Sequence, residues 1–183
     1  MSQELLTQPV LVKYLRRLDD QVSGGTRFYL VGECSLVLEG WREWTDQIIY
    51  TLDGDNESSA IERVGKEMGI PALFEPPKEI VPLPAGWESR ARPWETENLT
   101  QLSVFHFDPY STAFRLIARG DEPDYFVVIA FLEHRWIELE EMDRKLADLL
   151  PQFTAETIQQ DPAEFRRKYK GLRQLWKSVS AAA

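Results

Sequence analysis

Between Phe28 and Tyr50 the chain reads Phe-Tyr-Leu-Val-Gly-Glu-Cys-Ser-Leu-Val-Leu-Glu-Gly-Trp-Arg-Glu-Trp-Thr-Asp-Gln-Ile-Ile-Tyr, and here the residue types come closest to a reactive site. An apolar strand, a glycine turn, a short helix and a second strand make a frame that can hold a phosphate-binding turn beside metal-binding carboxylates. Side chains alternate across a strand, so two carboxylates sharing one cation must stand at i and i+2. A hard cation such as Mg²⁺ requires such oxygen ligands. Here Asp46 is followed two residues on by Ile48, and Gln47 by Ile49. Neither register gives an acidic pair. The frame is present and its metal ligands are not.

Other reactive types have plainer readings. Asp53 and Asp55 stand two apart, but Asp53-Gly54-Asp55-Asn56 is turn composition. Cys34 lies near a helix start, where a thiol pKa falls. Only His106 and His134 could serve it as a base, so a small buried residue is the better reading. His106 alternates onto the face of Leu102 and Val104 and is expected in the core, hydrogen-bonded. Asp46 could reach a metal only in a register shifted by one, where its same-face neighbours Trp44 and Ile48 add no carboxylate.

The elements that position these residues follow from periodicity and punctuation. Pro9 opens a helix over 9–22 with Leu11, Tyr14, Leu15, Leu18 and Val22 on one face, closed by Gly24-Gly25. Arg27–Val31 is a strand, Gly32 turns the chain, 34–39 is a short helix stopped by Gly40, and Asp46–Leu52 is the second strand. Ser58 or Ser59 caps a helix ending at Gly69, and 72–75 make a third strand. Residues 76–93 read as an ordered proline-rich loop, with Trp87 packed inward. Leu99–Phe107 alternates as a strand. Asp108-Pro109 starts a helix to Arg119, Asp121 or Pro123 opens the next through Leu132, 137–149 form an acidic amphipathic helix, and Asp161-Pro162 starts a last one to about Val179. This predicts an α/β (α+β) fold: a small mixed sheet flanked by helices over residues 1–107, then a helical region over 108–183 packed on it as one compact unit.

Composition narrows the class. The chain has 183 residues, 43% of them hydrophobic, enough for one globular core. A net charge of −9 disfavours binding nucleic acid through the whole surface, which rests on cations neutralising phosphates. One cysteine excludes an internal disulfide and fits a reducing cytosol. No basic leader and no apolar run near 18 residues are visible, so a cytoplasmic protein with no membrane contact is expected. On the last helix Phe165, Tyr169, Leu172 and Trp176 form an apolar stripe, flanked by Arg166, Arg167, Lys168, Lys170, Arg173 and Lys177. A packed stripe with a solvated basic flank, facing the acidic residues 137–148, is favoured over a nucleic-acid surface.

Taken together, Val31-Gly32-Glu33-Cys34-Ser35, Gly40-Trp41-Arg42-Glu43-Trp44-Thr45 and Gln47-Ile48-Ile49 resemble the signature of a prokaryotic nucleotidyltransferase-like family. That family is related to the minimal nucleotidyltransferases and to abortive-infection toxin–antitoxin systems. The resemblance extends through Pro82–Trp87, His106-Phe-Asp-Pro-Tyr110, Arg119-Gly120 and Asp161–Arg166, about residues 27 to 175. It implies a nucleotide-binding remnant at Gly32, Ser35, Arg42, Asp46, Gln47 and Asp124. The departures are pointed. Glu33 stands where the family has a second glycine, Gln47 and Ile49 replace the two aspartates, Leu116 the lysine and Val127 a later acidic residue, and Glu75 is only a loose candidate for a third carboxylate.

The resemblance therefore implies a pseudoenzyme with no catalytic residue, no metal site and no cofactor, and an antitoxin-like role through a protein partner. Two alternatives stay open. One is a nucleotide sensor without turnover; the other is an active nucleotidyltransferase, which would require Mg²⁺ and a nucleoside triphosphate. Ile49 and Leu116 are expected to be largely buried, with the old cleft near Gly32 closed.

Overall fold

The computed structural model describes residues 5–53, 57–76, 80–96, 98–153 and 160–182. The fold is mixed α/β, and the chain divides into two compact units. The first comprises residues 1–75 and 91–107, the second 76–90 and 108–183.

In the first unit β1 (Leu6–Thr7) leads into α1 (Gln8–Asp19), β2 (Thr26–Leu30), α2 (Glu33–Leu38), β3 (Trp44–Thr45), β4 (Ile48–Leu52), α3 (Ser58–Met68) and β5 (Ala72–Phe74). The chain re-enters this unit with β6 (Arg92–Pro93) and β7 (Leu102–His106). Five strands form one sheet in the order β5-β4-β2-β7-β6, while β1 and β3 pair separately. β2 runs antiparallel to β4 and parallel to β7, and β4 runs parallel to β5. Phe28, Leu30, Ile48, Tyr50, Leu102 and Val104 pack with Leu11, Tyr14, Leu15 and Leu18 of α1 and Ile61 and Val64 of α3 in one core. Alternation along the strands produces this, because every second residue of β2, β4 and β7 falls on the same face. Gly65 lets α3 approach β5, since a Cβ there would stand 2.8 Å from the Ile70 carbonyl oxygen.

The strands predicted at Arg27–Val31 and Asp46–Leu52 with a short helix between them form, with shifted ends, and pair with each other. Asp46 and Gln47 lie in a bend, not in a strand. Trp44–Thr45 pair with Leu6–Thr7, so the chain must leave that ribbon before Ile48 joins the sheet. The first helix ends at Asp19, ahead of Val22 and the glycines. Its last carboxylate accepts the backbone N–H groups of Thr100, Gln101 and Leu102 at 2.7–3.0 Å, anchoring the entry to β7. Neither serine caps α3. Glu57 holds the cap position without a side-chain cap bond and accepts from Ser23 N–H at 3.2 Å instead. Of the predicted turn at 53–56, residues 54–56 lie outside the described residues; Asp53 accepts the Tyr29 hydroxyl at 2.9 Å.

The second unit begins with residues 76–90, which include a 3₁₀ turn at Trp87–Arg90 rather than being irregular throughout. Trp87 is half-buried, not a core residue. α4 (Pro109–Arg119), α5 (Glu122–Glu133), α6 (Leu139–Leu149) and α7 (Pro162–Ala182) complete the unit. Asp108 caps α4 as its sequence predicts, accepting from Tyr110 N–H and Ser111 N–H. The Tyr125–Ile129 stretch is helical despite its β-prone residues, because Val127, Val128, Phe131 and Leu132 all find buried positions on α5. Phe165 and Tyr169 of α7 pack on Phe114 of α4. One cation of the basic flank meets the acidic helix: Arg173 bonds Asp143, as does the Tyr169 hydroxyl. Among the described residues no helix is long and apolar enough to cross a membrane.

Candidate functional site

The glycine turn after β2 is built as its sequence demands. Gly32 has φ +67° and ψ −126°, a conformation that side-chain-bearing residues rarely take, and a Cβ there would meet nothing within 4 Å. Backbone geometry, not crowding, requires glycine here. α2 begins at the next residue, so Glu33 stands in its first turn.

The Glu33 side chain does not extend into solvent. Arg42 Nη1 lies 2.9 Å from its Oε1, and the buried Thr45 hydroxyl donates to its Oε2 at 2.7 Å. Arg42 also donates from Nε to the Trp44 carbonyl at 2.9 Å. One carboxylate thus ties the turn to the segment between α2 and β4. The pair is only partly buried, with side-chain exposures of 34% and 27%, so its net stabilisation falls in the modest range of exposed ion pairs. In the resemblance Glu33 occupies the place of a second glycine beside the bound phosphate. Its partners stand nine and twelve residues on, a spacing with no helical or strand period, so nothing local signals the pairing.

The remaining candidates scatter. Ser35 is buried and its hydroxyl donates inward to the Leu30 carbonyl at 3.4 Å. Asp46 is exposed and Gln47 half-buried in the bend before β4. Asp124 lies in the second unit, where Arg119 grips it through Nε at 2.9 Å and Nη2 at 2.6 Å. Gly32, Ser35, Arg42, Asp46 and Gln47 belong to the first unit. Ile49 is half-buried instead of largely buried, because β4 turns Ile48 and Tyr50 to the core and Ile49 to the opposite face. Leu116 is buried, as expected.

Two nucleophile or base candidates are held inert. The Cys34 thiol, fully buried, donates to the Gln47 carbonyl and accepts from Ile49 N–H, each at 3.2 Å. Burial pushes its pKa up to about 12, so it remains a thiol at neutral pH. His106 is buried, with Nε2 2.8 Å from Glu39 Oε1. Burial holds its pKa below the ordinary imidazole value, and Glu39 opposes that shift. Among the described residues no three His, Cys, Asp or Glu side chains cluster as a metal site.

A cavity of about 350 Å³ opens at the other end of β2, lined by Ser23–Arg27, Leu52, Asp53 and Glu57. A second, about 500 Å³, lies in the second unit along α6 and α7. Neither is lined by Gly32, Ser35, Arg42 or Asp46. Comparison of the chain with protein-family models, with curated proteins and with solved structures finds no match in any of the three.

Proposed function

We propose that this chain is a nucleotidyltransferase-like protein that no longer transfers nucleotides and works, in the manner of an antitoxin, through a protein partner. One observation carries the reading: the Glu33 carboxylate is bound by Arg42 and Thr45. In a working turn of this kind a guanidinium and a hydroxyl would be free to hold phosphate oxygens. Here the protein's own anion engages both, and an incoming triphosphate would have to displace it against like-charge repulsion. β4 adds no compensating metal, since Ile48-Ile49-Tyr50-Thr51-Leu52 contains no carboxylate. Cys34 and Ser35 are both turned inward, leaving no activated nucleophile at the turn.

Isothermal calorimetry with ATP and GTP, each with and without Mg²⁺, tests this. No heat of binding is expected in any of the four titrations. Mg²⁺-dependent binding with turnover would defeat the reading and restore the active enzyme. Mg²⁺-independent binding would favour the second reading, a nucleotide sensor, which draws on one observation: Ile49 is half-buried and not sealed in the core.

A further inference from the structure

α7 has two faces of different kinds. Phe165, Tyr169 and Leu172 are buried and Trp176 half-buried along one. At about 100° per residue, Arg166, Lys170, Arg173 and Lys177 fall within roughly 60° of each other on the neighbouring face. All four are exposed. Arg173 is engaged by Asp143, whereas Arg166, Lys170 and Lys177 meet no carboxylate among the described residues. The helix carries six cations and one carboxylate, Glu164, in a chain whose net charge is −9. The molecule concentrates its positive charge here.

We infer that this row is a docking strip for an acidic helix of a partner protein. Successive cations rise by about 6, 4.5 and 6 Å along the axis, the spacing of carboxylates at i, i+4, i+7 and i+11 on an opposing helix. Half-buried Trp176 borders the row and offers apolar contact to such a helix, which a phosphate backbone does not require. Outside α7 the chain is more acidic than its total of −9, which disfavours a broad anionic surface such as a duplex or a bilayer. A single narrow helix touches the strip alone. This assignment does not depend on the state of the Gly32 turn.

The test uses the full chain and a synthetic helical peptide of alanine, leucine and glutamate with Glu at i, i+4, i+7 and i+11. A 20-nucleotide DNA, single- and double-stranded, and phosphatidylserine vesicles are run beside it. Expected are peptide binding that weakens as salt rises, and loss of about tenfold or more in affinity in R166E/K170E/K177E. These three side chains have no ion-pair partner among the described residues, so an unchanged circular dichroism spectrum is expected for the variant; R166Q/K170Q/K177Q, with an intermediate loss, covers the case where reversal perturbs the helix. No peptide binding at low salt, equal binding by the folded variants, or binding of DNA or vesicles but not peptide overturns the inference.

Discussion

Two helix starts in this molecule follow adjacent parallel strands, and they handle the same problem in opposite ways. After β2, α2 starts on Gly32 with no side-chain cap, and the one carboxylate available, Glu33, reaches sideways to Arg42 and Thr45. After β7, α4 starts on Asp108, fully buried, which accepts from two backbone N–H groups and the Ser111 hydroxyl. Arg90 then clamps the same carboxylate, its Nε at 2.9 Å and Nη2 at 2.8 Å, and donates onward to the Pro84 and Ala85 carbonyls. The second start is a network around a buried carboxylate that holds residues 84–90 to α4. The first is a partly exposed pair beside a glycine. A buried network such as the second fixes structure; a partly exposed pair such as the first can be opened at small cost.

The contrast can be broken most forcefully at Asp108. Asp108→Ala removes the only carboxylate bound to the Arg90 guanidinium among the described residues and leaves two N–H groups and the Ser111 hydroxyl without their acceptor, so a loss of about 3–5 kcal/mol is expected in urea unfolding. A loss below about 1 kcal/mol would show that the network is not structural. Next in size is Asp19→Asn, expected to cost about 2 kcal/mol because an amide replaces a carboxylate that accepts three backbone N–H bonds.

The same residue sets an acid limit. Net of burial, the hydrogen bonds from Thr100, Leu102 and Gln101 hold the Asp19 pKa below its ordinary value. A depressed carboxylate contributes stability above the unfolded value, about 4, that is lost as pH falls through the folded one. His106 acts in the same direction at higher pH: its lowered pKa means that acidification from about 6.5 downward favours the unfolded chain. Wild-type stability should therefore fall in two stages on acidification, with the lower stage missing in Asp19→Asn.

At the glycine turn no effect is expected to reach that of Asp108→Ala. Gly32→Ala should cost about 1–3 kcal/mol from backbone strain alone, since the added methyl has open space. Glu33→Gln should change stability by less than about 1 kcal/mol, as for exposed pairs. Its value is in sharpening the comparison. If the carboxylate is what keeps triphosphate out, ATP affinity should rise in Glu33→Gln while remaining independent of Mg²⁺. No change would place the block elsewhere.

Much of this fold was legible where local chemistry decided it. Asp108-Pro109 and Asp161-Pro162 announce helix starts because a short acceptor before a ring with fixed φ suits the first turn, and both do start helices. Gly32 was legible because few other residues can turn a strand directly into a helix. His106 was legible from alternation alone. What escaped was non-local. Asp19 reads as one more polar residue at a helix end until Thr100 arrives more than eighty positions later. Asp46 and Gln47 read as strand because the pairing of Trp44 with Thr7 is invisible to periodicity. The string of residue types that resembles a nucleotide-binding turn was legible, but Ser35, Arg42 and Glu33 point to partners that only the folded chain supplies.

The strand order β5-β4-β2-β7-β6 has a kinetic consequence. β2 and β4 lie close in the chain and can pair early, whereas β7 must close a loop of about 70 residues to reach β2, an entropic cost repaid only once the contacts form. Asp19, at the end of α1, meets the incoming chain at Thr100–Leu102, just where β7 begins. It acts as a register pin. A parallel strand that docks one residue out of step would turn Leu102, Val104 and His106 away from the core. If the pin engages only after the barrier, removing it should accelerate unfolding more than it slows folding. If the pin guides docking, the folding arm should slow instead. The rate-limiting event in making this protein would then be the arrival of one strand from the far side of the sequence, checked on entry by a single carboxylate.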